Sequence, residues 1–204
     1  MVITIDAPIN GLRNSEQRAE FSLPPNVRAV NIDSPSPLVH PGEGKSVVFQ
    51  GLMAQAPTWD DIAFIQQNTS LPIVLKGILN PLDAQKAAEL GVAGIVVSNH
   101  GGRALDSVPS PVEMLPIIRQ TVGDEMMVLA DSGVRRGADV VKLIALGANA
   151  VLIGRPLMYG LATAGALGVA HTIRLLRDEL EMTMALCGVD AIENINKHCL
   201  WPAT

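Results

Sequence analysis

Five short apolar runs, each closing on a polar residue and each followed by a helix-like segment, constrain this chain more than any other feature. The runs are Val2-Ile3-Thr4-Ile5-Asp6, Pro72-Ile73-Val74-Leu75-Lys76-Gly77, Ala93-Gly94-Ile95-Val96-Val97 leading into Ser98, Met126 to Ala130 ending at Asp131, and Ala150 to Ile153 ending at Gly154-Arg155. From Leu71 onward strand and helix alternate with a period of about 20–30 residues, a pattern that implies parallel strands joined by right-handed crossovers. Near-continuous apolar runs suit strands buried on both faces under helices.

The helical segments carry their own start and stop signals. Thr58-Trp59-Asp60-Asp61 opens a helix through about Gln67. Pro81-Leu82-Asp83 opens a second through Leu90, where Gly91 stops it. Ser110-Pro111-Val112-Glu113 reads as a cap, a proline at the first helical position and a glutamate three residues after the cap. Arg136 to Leu146 is a helix stopped by Gly147; a longer one runs roughly from Met158 to Leu180, and a shorter helical tail follows. Residues 7–55 are rich in Pro, Asn, Ser and Gly and read as a long irregular loop. The expected architecture is one α/β domain over residues 1–204 with five strands.

Lys76, His100, Asp131 and Arg155 all fall where a strand ends. In a β/α barrel those ends form the single face where chemistry occurs; in a doubly wound sheet they would converge on a crevice. Because every strand contributes a polar end residue, the barrel is the expected fold. Aromatics make up 3% of the chain, so Gly, Ala, Val, Leu and Ile carry the core. A net charge of −5 without basic clusters argues against nucleic acid as a partner. No run reaches the roughly 18 apolar residues of a membrane span. Cys187 and Cys199 lack metal-like or redox-like spacing and read as reduced packing residues. With no signal peptide at the start, the expected location is the cytoplasm.

The loop Ser98-Asn99-His100-Gly101-Gly102-Arg103 carries the densest chemistry. His100 can move a proton near neutral pH. Arg103 can grip a carboxylate with two parallel hydrogen bonds. The glycines let a flat ligand approach the backbone. Asp6 ends its strand on the same face and could orient the imidazole. Lys76 could stand beside an anionic ligand atom. Two consecutive glycine–arginine turns, Asp131-Ser132-Gly133-Val134-Arg135-Arg136-Gly137 and Gly154-Arg155-Pro156, suit a phosphate.

Together Leu75-Lys76-Gly77, Ser98-Asn99-His100-Gly101-Gly102-Arg103, Asp131-Ser132-Gly133-Val134-Arg135-Arg136-Gly137 and Gly154-Arg155-Pro156 resemble the FMN-dependent α-hydroxy-acid oxidase/dehydrogenase family, which includes glycolate oxidase, lactate oxidase and L-lactate dehydrogenase. Thr4-Ile5-Asp6-Ala7-Pro8, Phe21-Ser22-Leu23-Pro24-Pro25 and Met182-Thr183-Met184-Ala185-Leu186-Cys187-Gly188 extend the resemblance along the chain. It implies an FMN-binding (β/α)8 TIM barrel that oxidises a small L-2-hydroxy acid. His100 would be the base that takes a proton from the substrate, at carbon or at oxygen, with Asp6 as its carboxylate partner. Arg103 would be the main clamp on the substrate carboxylate and Arg13 the second active-site arginine. Lys76 would stabilise negative charge on the reduced flavin, and Thr4 and Ser98 would touch its ring. Asp131, Ser132, Gly133, Val134 and Arg135 would hold ribityl and phosphate, with Gly154 and Arg155 on the phosphate. Ser132 stands where the motif has a second glycine.

Matched to that family, the chain corresponds to strands 4 to 8 with their helices, and the first three strand–helix units are absent. The expectation is a partial barrel whose activity needs a complementing N-terminal part; family resemblance also implies a homo-oligomer, commonly a tetramer. The alternatives are an inactive or weakly FMN-binding remnant, or another FMN- or phosphate-binding barrel. Other such barrels share the phosphate turns but lack the histidine–arginine pair.

Overall fold

A computed structural model describes residues 1–9, 11, 14–28, 30–31 and 42–201. Five parallel strands, β1 (Val2–Thr4), β2 (Val74–Ile78), β3 (Gly94–Val97), β4 (Met127–Ala130) and β5 (Ala150–Val151), form one sheet in the order β1-β2-β3-β4-β5. That order decides between the two architectures. A doubly wound sheet reverses its strand order at a switch point, whereas here each strand pairs with its sequence neighbour throughout, which is how barrel staves are laid down. The fold is α/β of the TIM-barrel type, with five strand–helix units.

Helices follow each strand: α2 (Trp59–Gln67), α3 (Pro81–Glu89), α4 (Pro111–Val122), α5 (Gly137–Ala145) and α6 (Arg155–Leu186). α2, α3 and α4 start where the sequence signals predict. The Asp61 carboxylate accepts from the Thr58 N–H at 2.7 Å, and the Glu113 carboxylate accepts from the Ser110 N–H at 2.8 Å. The last helix is longer than expected at both ends. It is broken at Ala164 and Gly165, where the backbone leaves helical geometry. The segment expected to be wholly irregular holds a short helix, α1 (Asn14–Arg18), and two helical turns at Val47–Gly51 and Leu52–Gln55. Among the described residues no helix is long and apolar enough to cross a membrane.

The sheet's two faces differ. Leu75, Ile95 and Val128 share one register row and are completely buried beneath the helices, in a core that also holds Ala84, Ala87, Leu115, Ile118 and Leu143. Each buried Leu, Ile or Val among them contributes about 1.5–3 kcal/mol by leaving water. Val2 and Met127, in the preceding register row and so on the opposite face, are 61% and 47% exposed. That second face is the one a closed barrel turns inward.

Candidate active site

His100 sits in the turn leaving β3. It begins a run of three left-handed residues, with φ of 55° at His100, 67° at Gly101 and 73° at Gly102. For a histidine that backbone costs on the order of 1–3 kcal/mol, so the surroundings must enforce it. They do so at four points. The ring Nδ1 lies 3.0 Å from Asp6 Oδ1. The His100 N–H donates to Ser98 Oγ at 3.0 Å. The Gly101 N–H donates to Ser132 Oγ at 3.1 Å, and the Gly101 carbonyl accepts from Arg155 Nη2 at 2.9 Å. The carboxylate of Asp6 can only accept, so in the neutral imidazole this contact places the proton on Nδ1 and leaves the lone pair on Nε2.

Asp6 is placed by β2 as much as by β1. The ladder between β2 and β3 slips by one residue between Lys76 and Ile78. Gly77 is the extra residue of this bulge, at φ 107°. A bulge redirects the strand and its side chains. Here the missing side chain at Gly77 leaves room for the Asp6 carboxyl group.

Lys76 Nζ lies 3.0 Å from Asp131 Oδ2 and donates to Ser98 Oγ at 3.0 Å. Asp131 Oδ1 accepts from Ser132 Oγ at 2.7 Å. Lys76 and Asp131 are 19% and 15% exposed, so each reaches the cavity from a largely buried position.

These groups border a cavity of about 670 Å³, within the range of small-molecule and cofactor sites. Lys76, Arg103, Arg135 and Arg155 bring four cations to its lining, together with His100. Asp131, already paired with Lys76, is the one carboxylate among the lining residues. The balance favours an anionic ligand. Gly133, Val134 and Gly154 line the same space. At α5 the two N–H groups of Arg135 and Arg136 are taken by Asp139 Oδ2 at 3.1 Å each. The cap at that end is therefore internal, and the N-terminus of α6, where Gly154 offers no side-chain cap, is the open one.

The other expected site residues fall as follows. Arg103 lines the cavity, with its Nη2 3.1 Å from Glu16 of α1. Ser98 is fully buried behind the lining, its hydroxyl engaged by Lys76 and His100. Thr4 is exposed on β1, in register beside Lys76. Arg13 lies outside the described residues. Two contributors were not expected. Glu16 engages Arg103 from a segment read as irregular. Tyr159, the chain's single tyrosine, lines the cavity one helical turn beyond Arg155. The spacing of Arg155 and Tyr159, four residues apart at a helix start, is the signal that could have found it.

The FMN-dependent dehydrogenase family model matches residues 1–202. This chain belongs to the FMN-dependent dehydrogenase family. An L-lactate oxidase of Roseobacter sp. (strain GAI101) is 48% identical over 202 residues, which is 98% of this chain and 55% of that protein. 2-Hydroxyacid oxidase 1 of Mus musculus is 42% identical, over 96% of this chain and 54% of that protein. A crystal structure of mandelate oxidase with (S)-2-phenylpropionate superposes with a TM-score of 0.83 at 40% identity, covering 96% of this chain and 53% of that one. A mandelate oxidase variant solved with the C4a-OH-FMN adduct gives 0.82 at 40% identity, over 96% of this chain and 54% of that one. The chain spans about half the length of the curated relatives it matches.

The family's cofactor suits the donor set around the cavity. A flavin mononucleotide needs cations and free N–H groups for its phosphate, hydrogen-bonding partners for its ribityl chain, and a flat space for its ring. Arg135, Arg155 and the open end of α6 would answer the first need, Asp131 and Ser132 the second, and the cavity between Lys76 and His100 the third.

Proposed function

We propose that this FMN-dependent dehydrogenase relative oxidises a small L-2-hydroxy acid to the 2-oxo acid, with the barrel wall beyond these five units supplied by further strand–helix units. The observation that carries the reading is the Asp6–His100 pair at 3.0 Å on the rim of a cation-lined cavity. A bound flavin accepts the two electrons of the oxidation. The chain supplies the rest. His100 takes the substrate proton at Nε2, and Asp6 stabilises the imidazolium and holds the tautomer. Arg103, aided by Arg13, grips the substrate carboxylate. Lys76 offers positive charge to the flavin ring, beside Thr4 and Ser98. Asp131, Ser132, Gly133, Val134 and Arg135 hold ribityl and phosphate, and Gly154 and Arg155 complete the phosphate site. Family resemblance supports a homo-oligomer.

A second reading is favoured by the exposed Val2–Met127 face: a chain that binds FMN but does not turn over by itself. Titration with FMN, then anaerobic addition of L-lactate or glycolate, separates the two. Bleaching of the flavin, by the chain alone or with a co-expressed N-terminal half, supports oxidation. His100→Gln should then abolish bleaching and retain FMN. Undiminished reduction in that variant overturns the assignment of the base, and bound flavin that no 2-hydroxy acid reduces in the completed barrel leaves only the second reading.

A further inference from the structure

Ser132 occupies a left-handed position, at φ 71°, that glycine would fill without strain. Its hydroxyl has two partners: it donates to Asp131 Oδ1 at 2.7 Å and accepts from the Gly101 N–H at 3.1 Å. Followed further, those contacts close a ring. Asp131 Oδ2 meets Lys76 Nζ, Lys76 donates to Ser98 Oγ, and Ser98 Oγ accepts the N–H of His100, which is bonded covalently to Gly101. Two successive amides of the strained histidine loop are thus held by two serine hydroxyls, one at the end of β3 and one in the turn after β4. Asp6 holds the ring and Arg155 the Gly101 carbonyl, while these two hydroxyls hold the loop's first two amide N–H groups. Ser132 is the amide attachment that reaches across to the turn after β4, and that turn faces the cavity.

We infer that Ser132 is a positioning residue for His100. Its hydroxyl latches the His100 loop to the turn after β4, keeps the imidazole against Asp6, and makes the order of that turn felt at the base. Only the catalytic meaning of this inference rests on the oxidoreductase reading; the latch itself does not.

The test uses the 204-residue chain without FMN. Amide hydrogen exchange at Gly101 and the ring nitrogen resonances of His100 are measured by NMR for the unmodified chain, Ser132→Gly and Ser132→Ala. Ser107→Gly is the matched control, because Ser107 is an exposed serine at φ 67° outside the site. Removing one neutral hydrogen bond should speed Gly101 exchange by about two- to tenfold in both Ser132 variants, and shift the Nδ1 resonance of His100 away from its hydrogen-bonded position. Ser107→Gly should change neither. Because glycine relieves strain at position 132, Ser132→Gly should melt no lower than the unmodified chain, which separates loss of the latch from general loosening. Unchanged exchange at Gly101 in both Ser132 variants, or an equal change in Ser107→Gly, overturns the inference. Failure of the chain to reduce a flavin would strike the oxidoreductase reading and leave these measurements standing.

Discussion

A β-carbon placed on Gly77 would lie 2.4 Å from the carboxyl carbon of Asp6. Gly77 lies in β2 and Asp6 just beyond the end of β1, and they share one space, so the carboxylate that meets His100 depends on a side chain that is missing from β2.

Gly77→Ala tests that dependence. The substitution demands φ 107° of an alanine, which costs on the order of 1–3 kcal/mol, and it pushes Asp6 away from His100. Urea denaturation should show the stability loss, and NMR should show the His100 ring released from its carboxylate. An unchanged urea midpoint together with an unchanged His100 ring signal would remove Gly77 from the account.

The barrel-type alternation was legible in the sequence because it rests on local signals. Thr58 with Asp61, Ser110 with Glu113, and the glycine stops each declare a boundary through their own hydrogen bonds. The convergence of Lys76, His100, Asp131 and Arg155 followed from topology, since parallel strands put their C-terminal ends on one side. What was not legible depends on contacts between distant segments. The Gly101 latch to Ser132 spans 31 residues and the Arg103 pair with Glu16 spans 87, and no local periodicity encodes either. Gly160, Gly165 and Gly168 weaken a helical reading, and Ala164–Gly165 does break the helix, yet it resumes beyond the break and packs against α5.

Arg103 provides the next test. Its guanidinium already holds a carboxylate, that of Glu16, at 3.1 Å, and both side chains are more than 40% exposed. An exposed pair of this kind is worth little, so a substrate carboxylate can compete for the same fork. Arg103→Lys keeps the charge and loses the planar donor pair. Binding of a 2-hydroxy acid to the flavin-loaded, completed barrel should weaken about tenfold, read from the perturbation of the flavin spectrum. Unaltered affinity would show that Arg103 is not the clamp.

Acid sensitivity should originate at the helix caps. The Ser110 hydroxyl and N–H hold the Glu113 carboxyl below the usual glutamate range, and Thr58 does the same to Asp61. A carboxyl whose folded-state pKa is depressed stabilises the fold above its unfolded value and loses that contribution as pH falls through the folded one. Stability should therefore be level at neutral pH and decline from about pH 4–5 downward, the ordinary carboxylate range. Glu113→Gln combined with Asp61→Asn should make the acid limb of a thermal-melt series shallower. A limb of undiminished steepness in the double variant would place the acid-sensitive groups elsewhere.

Arg119 closes the sheet at the end opposite the cavity, and its loss should be felt in stability alone. The guanidinium donates to the carbonyls of Gly147 at 2.8 Å, Gly123 at 2.7 Å and Met126 at 2.8 Å, and to Asn149 Oδ1 at 2.6 Å. Asn149 Oδ1 also accepts the N–H of Val128, so one side chain ties the end of α4 to the start of β4 and to the turn before β5. Burial lowers the Arg119 pKa from its ordinary value, with Asp124 acting in the opposite sense, yet a guanidinium stays charged at any pH the fold survives. Arg119→Met preserves the stem and strands the acceptors, for a loss on the order of 1–3 kcal/mol. Arg119→Lys should recover little, because one ammonium cannot reach acceptors spread around a planar fork. Urea midpoints for the two variants should fall together while FMN affinity stays put. A lysine variant as stable as the unmodified chain would mean that charge at this position, and not the geometry of the fork, holds the three segments together.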